Sequence, residues 1–215
     1  MSLMGALVAK GCVEGVVLAM AAHGTSAGVQ RRGCFLLSSR TAYHIFQVAR
    51  AAKGAIEAVV GAMMTHRSSV SVQEYGCRAL RNFMVSDENK MAVAERGGIE
   101  AVVSAMEAHG SSAGVQEYGC KALRNLTLNA DNRVAVATNG GIGAVVRAME
   151  AHGSSYQVQE QGCAALLNIA MSDSGLQSLV RSAGAVPFVK KALCAFPDQE
   201  VLQNWAKLIL KKLGS

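Results

Sequence analysis

One word recurs through this chain, and its spacing constrains the fold more than any other feature. Val-Gln-Glu-Tyr-Gly-Cys-Lys-Ala-Leu-Arg-Asn-Leu fills residues 115–126. A near copy fills residues 72–83, a looser one residues 158–169, and a worn one starts at Val29. Cys34, Cys77, Cys120 and Cys163 follow one another at steps of 43 residues. His23, His66, His109 and His152 keep the same step, as do Val13, Ile56, Ile99 and Ile142. A period of this length marks solenoids made of two- or three-helix units, each packed only on its neighbours. Five such units fill the 215 residues as one domain: 1–43, 44–86, 87–129, 130–172 and 173–215. The first and last are the most worn, as expected of units that cap a stack.

Ala, Val, Leu and Met dominate, and there are only 2 prolines, so helix is favoured over sheet. Hydrophobic residues make up 51% of the chain, enough for a core that grows lengthwise with the stack. The 6 cysteines do not read as a disulfide framework. Equivalent residues on stacked helices lie about 8–10 Å apart, whereas a disulfide needs Cα atoms within about 7 Å. They read as small buried thiols, which suit a reducing compartment, the cytoplasm or alternatively the nucleus. Residues 1–24 have an apolar run and a small-residue segment like those of a signal peptide, but Lys10 and Glu14 interrupt the run. Val13, Val17 and Met20 also match Ile99, Val103 and Met106 in the repeat frame, so this segment reads as structure. No apolar run reaches the roughly 18 residues of a membrane span.

The third unit shows the pattern best. Ser86-Asp-Glu-Asn89 offers N-cap residues for a short helix over residues 90–96, with Met91, Val93 and Ala94 available for burial. Gly97-Gly98 ends that helix. A second helix is expected over residues 99–108, where Ile99, Val102, Val103 and Met106 stand at i, i+3, i+4 and i+7. A glycine-bearing turn follows. The third helix is expected over residues 115–128, burying Val115, Gly119, Ala122, Leu123 and Leu126 with Cys120 beside them. A helical glycine costs about 1 kcal/mol relative to alanine. Its recurrence at Gly33, Gly76, Gly119 and Gly162 therefore implies a close helix–helix approach. Residues 40–53 replace the Asp/Asn-rich opening with a more apolar helix. In the last unit Pro187 falls in the first turn of the second helix, and Trp205 takes the place of Gly162.

Val72-Gln-Glu-Tyr-Gly-Cys-Arg-Ala-Leu-Arg-Asn82, then Glu88-Asn89-Lys90, then Gly97-Gly98-Ile99, resembles the armadillo repeat pattern. Asp131-Asn132-Arg133 with Gly140-Gly141-Ile142 is similar. The resemblance covers residues 54–195 best and is of the β-catenin and importin-α kind. It implies an all-α, right-handed solenoid of three-helix units whose third helices line a concave groove for extended peptides. In that family an asparagine of the third helix pairs with the backbone of the bound peptide. Asn82, Asn125 and Asn168 occupy the matching positions. An amide suits this role because it both donates and accepts. Third helices about 10 Å apart would meet every third residue or so of a strand rising ~3.3–3.6 Å per residue. An exposed polar residue bonded to its own backbone is the alternative.

One turn earlier stand Phe35, Arg78, Lys121 and Ala164, where several peptide-binding members carry tryptophan. That departure counts against a receptor for basic nuclear-localisation signals. Arg78, Arg81, Lys121 and Arg124 instead make the middle of the groove basic, which fits acidic peptides. The plainer reading is a solvated face, because Glu74–Arg78 and Glu117–Lys121 are also i,i+4 pairs. The histidine series supplies one side chain per turn, too far apart to share a metal ion. Gly140-Gly-Ile-Gly143 lacks the strand and the Lys-Ser/Thr of a phosphate loop. Tyr75 and Tyr118 are expected to pack on neighbouring helices. No catalytic acid–base or nucleophile pattern stands apart from the repeat.

These readings converge on a protein–protein scaffold or adaptor that holds an extended, acidic peptide, with no cofactor, metal, small-molecule substrate or enzymatic role. Two alternatives stand beside it. One is a nucleic-acid or anionic-surface binder, suggested by the net charge of +6 and the lysines of the last helix. The other is a structural array that self-associates through its ends, including a truncated or engineered one.

Overall fold

The computed structural model describes residues 3–39 and 49–214, with side chains over residues 11–39 and 54–214. Among the described residues the chain forms thirteen helices and no strand, the all-α class expected. Two compact units comprise Met1–Ala108 and His109–Ser215.

The first unit contains α1 (Leu3–Ala22), α2 (Ala27–Leu37), α3 (Ala49–Thr65), α4 (Val70–Phe83), α5 (Asp87–Glu95) and α6 (Gly98–Ala108). Helix α1 packs on α3 and α3 on α6, while α2 packs on α4. Like thus stacks on like, as a tandem repeat requires. The second unit contains α7 (Ala113–Leu126), α8 (Ala130–Thr138), α9 (Gly141–Ala151), α10 (Tyr156–Ala170), α11 (Ser174–Ser182), α12 (Ala185–Ala195) and α13 (Glu200–Leu213). Here α7, α10 and α13 form one row, α9 and α12 a second, and α8 and α11 a third.

Local chemistry sets these boundaries. Ser86 caps α5 by accepting from the Asn89 amide at 3.2 Å, and Ser112 caps α7 through Val115 at 3.4 Å. Gly97, Gly140 and Gly184 turn the chain between first and second helices at φ of 77°, 81° and 77°, where a Cβ is penalised. Their counterparts Gly11 and Gly54 lie inside the continuous helices α1 and α3 instead. Gly54 is set among Ala51, Ala52 and Ala55, strong helix formers that carry α3 through. The apolar helix expected over residues 40–53 falls outside the described residues except for 49–53, which open α3.

The buried stripe of α7 is the one expected: Val115, Cys120, Ala122, Leu123 and Leu126 are wholly buried. Met91 is not part of the core. It is exposed, and Ala92 is buried with Val93 instead. Close approach at the recurring glycine also holds. A Cβ on Gly76 would lie 2.5 Å from Met63 Cγ, and one on Gly162 2.7 Å from Met149 Cγ.

Trp205 does not take the place of Gly162. Helix α10 has 15 residues against 14 in α7, and this extra residue lengthens the next step to 44. Ala206 is therefore the counterpart of Gly162, and Trp205 of Gln161. Pro187 is the third residue of α12, within its first turn as expected.

A row of glutamines that the repeat pattern displayed but did not explain closes each hairpin between second and third helices. Gln30, Gln73, Gln116 and Gln159 are buried. Gln73 Nε2 donates to the carbonyls of Met63 at 3.0 Å and His66 at 2.9 Å. Gln159 does the same to Met149 at 2.7 Å and His152 at 3.1 Å. Gln203 repeats it at Leu193, 2.8 Å, and Phe196, 3.1 Å. The last carbonyls of a helix lack intrahelical donors, and one amide here supplies two.

Candidate functional site

The residues singled out from the sequence all lie on third helices, α4 in the first unit and α7 and α10 in the second. Their environments differ. Asn82 is buried, and its Nδ2 donates to the carbonyl of Ser38, the C-cap of α2, at 2.7 Å. Its Oδ1 accepts from Arg81 Nη1 at 2.9 Å. Asn168 is half-buried and donates to the Arg124 carbonyl at 3.3 Å and to Thr127 Oγ1 at 3.2 Å. Both amides thus reach back to the carbonyl end of the preceding third helix, where acceptors are left over. Asn125 sits half-buried in the last turn of α7.

On α4, Arg78 is half-buried and Arg81 exposed. Tyr75, one turn before them, packs edge-on against Phe35 of α2 with ring centroids 5.2 Å apart, the neighbour packing expected of it. On α7, Lys121 pairs with Glu117 one turn back and lies 5.4 Å from the centre of the Tyr118 ring. The i,i+4 ion pair read from the sequence is therefore present. Arg124 reaches much further. Its Nη1 donates to Gln161 Oε1 of α10 at 3.0 Å, and its Cζ lies 4.9 Å from the ring centre of Trp205 on α13. Gln161 in turn donates to Glu160 at 2.7 Å, whose other oxygen accepts from Tyr156 at 2.8 Å. Trp205 was missed in the sequence because the longer step shifts the last unit by one, and Gln161 because a glutamine stands there in place of the tyrosine of the two preceding units. Aligned at 44 residues, Trp205 joins Tyr75, Tyr118 and Gln161 on one line of the repeat.

The histidine series serves the stack. His66 Nε2 lies 2.8 Å from the Gly24 carbonyl, and His152 Nε2 2.7 Å from that of Gly110, tying these two turns each to the preceding turn of its own unit. Among the described residues no three His, Cys, Asp or Glu side chains converge as a metal site would need. Cys34, Cys77, Cys120 and Cys163 are buried, but Cys12 and Cys194 are exposed, so the expectation of burial holds for four of the six. Burial pushes the Cys34, Cys120 and Cys163 thiols up to about 12, which leaves them protonated and unreactive. Among the described residues no helix is long and apolar enough to cross a membrane.

The third helices α4, α7 and α10 thus carry Arg78, Arg81, Lys121 and Arg124 together with Asn82, Asn125 and Asn168. A family model described as "LRRK2 ARM repeat" matches residues 45–215. An engineered protein is 25% identical over 94% of this chain and 81% of its own, with a TM-score of 0.77. A second engineered protein is 24% identical over 94% and 79%, with a TM-score of 0.75. A designed armadillo repeat protein, solved in complex with the peptide (KR)4, is 20% identical over 94% and 82%, with a TM-score of 0.76. No curated protein matches the chain.

Proposed function

Since the chain belongs to the LRRK2 ARM repeat family, we propose that it acts as a protein-binding scaffold whose third-helix faces hold an extended, acidic peptide. The observation that carries this reading is the set of cations on those faces: Arg78 and Arg81 on α4, Lys121 and Arg124 on α7. They would pair with acidic side chains of the ligand. Asn125 and Asn168, half-buried, would meet its backbone. Asn82 would join them when Arg81 swings from its Oδ1 to a ligand carboxylate, which frees an acceptor next to the new ion pair. The designed neighbour carries (KR)4, a basic peptide. The opposite preference is proposed here because the cations belong to the scaffold.

A selection from a random extended-peptide library tests this, run on the wild type and on the Asn82/Asn125/Asn168→Ala variant. Enrichment of an acidic motif by the wild type alone is expected. No enrichment, or the same enrichment by both, would refute the reading.

A second reading has one observation in its favour. Lys190, Lys191, Lys207, Lys211 and Lys212 are all exposed on α12 and α13. An anionic polymer bound there would show steep salt dependence with little sequence preference.

A further inference from the structure

The contact between Arg124 and Trp205 is unlike the other cation contacts on the third-helix faces. Arg124 belongs to α7 and Trp205 to α13, and α10 lies between them in the row. Both long side chains reach over α10, where the positions three and four residues after Gln161 are Ala164 and Ala165. The guanidinium is then held twice: one N–H goes to Gln161 Oε1 at 3.0 Å, and Cζ sits 4.9 Å from the indole centre. Lys121, by contrast, already has the Glu117 carboxylate as its partner. Among the described residues Arg124 has no carboxylate partner. It is a half-buried cation held between an aromatic ring and an amide, with donors left over from its five.

We propose that Arg124 is the specificity-determining cation of the second unit, binding an acidic side chain of the ligand bidentately, and that Trp205 and Gln161 position it. The site takes a carboxylate, and Ala164, three residues on from Gln161, offers no polar side chain to compete for the guanidinium. A guanidinium fork fixed in advance loses little freedom when it meets a carboxylate, so the positioning residues raise affinity without touching the ligand. Gln161 is itself bonded to Glu160, so the amide that holds Arg124 is also held, and its oxygen stays turned toward the guanidinium.

This inference rests on the acidic-peptide reading above, and the test separates the two. Trp205 is the single tryptophan of the chain, so its emission reports the stack directly. The probe is a fluorescein-labelled (Glu-Ala)4 peptide followed by polarisation, with an unlabelled copy followed by Trp205 emission. The wild type is expected to bind saturably, with an emission change that tracks binding. Arg124→Met and Trp205→Ala are expected to weaken binding about tenfold or more, and Trp205→Phe to restore most of it. A purely structural tryptophan would give no rescue that tracks affinity at unchanged helical content. Binding by the wild type with equal affinity in Trp205→Ala and Arg124→Met, or with no change in Trp205 emission, overturns the proposal and leaves the scaffold reading standing. No binding by the wild type to any acidic peptide overturns both.

Discussion

Replacing Gly162 by alanine pits two effects of known size against each other. On an open helix surface the substitution stabilises by about 0.8–1.0 kcal/mol, because alanine restricts the unfolded chain and favours helix. Here the new Cβ would stand 2.7 Å from Met149 Cγ and 2.8 Å from its Sδ, with Val145 Cγ1 at 3.4 Å. Relaxed carbon contacts lie at about 3.5–4.0 Å, so Met149 must retreat by about 1 Å inside a close-packed core. Overpacking of this kind costs about 1–3 kcal/mol. The net expectation is a loss of about 0–2 kcal/mol where propensity alone predicts a gain. The chain repeats the pairing: methionine faces glycine at Met20–Gly33, Met63–Gly76 and Met149–Gly162, while Ala206 in the last unit is matched by the shorter Leu193. Urea unfolding followed by far-ultraviolet circular dichroism measures the effect, with Met149→Ala as the second arm of a double-mutant cycle. With Met149 truncated the alanine fits, so the two changes should couple by about 1–3 kcal/mol. Stabilisation by Gly162→Ala alone, additive with Met149→Ala, would refute the packing argument.

Gln159→Leu removes the donor shared by the Met149 and His152 carbonyls and should cost about 1–3 kcal/mol in the same unfolding assay. Gly97→Ala should cost about 1–2 kcal/mol from backbone strain alone at φ 77°, since the nearest atom to a Cβ there is 4.0 Å away. A thiol reagent should label exposed Cys12 and Cys194 quickly and buried Cys34, Cys77, Cys120 and Cys163 only on unfolding. Folding raises three of those thiols from 9.0 to about 12, so they hold protons more tightly in the folded state. Their contribution is complete below pH 9 and is lost between there and about pH 12. Melting temperature should accordingly fall less steeply over that window in the Cys34/Cys120/Cys163→Ala variant than in the wild type.

The repeat made the fold class readable because its apolar stripe survives in every good copy: Val115, Leu123 and Leu126 are buried as their spacing demands. What the repeat hid was anything that breaks its step. The single extra residue in α10 comes after Cys163, so the cysteine series gives no sign of it. Trp205 was thereby assigned to the core line, although it faces Arg124. The unbroken helices α1 and α3 were hidden for the opposite reason. Gly11 and Gly54 keep the glycine signal, yet the residues around them carry the helix through. The buried glutamines were visible as letters of the repeated word, but their role depends on two carbonyls seven and ten residues away across a turn. Periodicity reports which face is buried, not which acceptor that face must satisfy. The same limit applies to Asn82, whose partner Ser38 lies 44 residues back on another helix.

The central claim is that scaffold cations on the third helices choose an acidic ligand. It is tested most directly by reversing them. Affinities for (Glu-Ala)4 and (Lys-Ala)4 peptides should be measured on the wild type and on the Lys121→Glu/Arg124→Glu variant, at low and at physiological salt. The account predicts that the wild type prefers the acidic peptide, less so as salt rises, and that the variant loses that preference and gains the basic one. A wild type that binds both peptides alike, or a variant whose preference is unchanged, would contradict it.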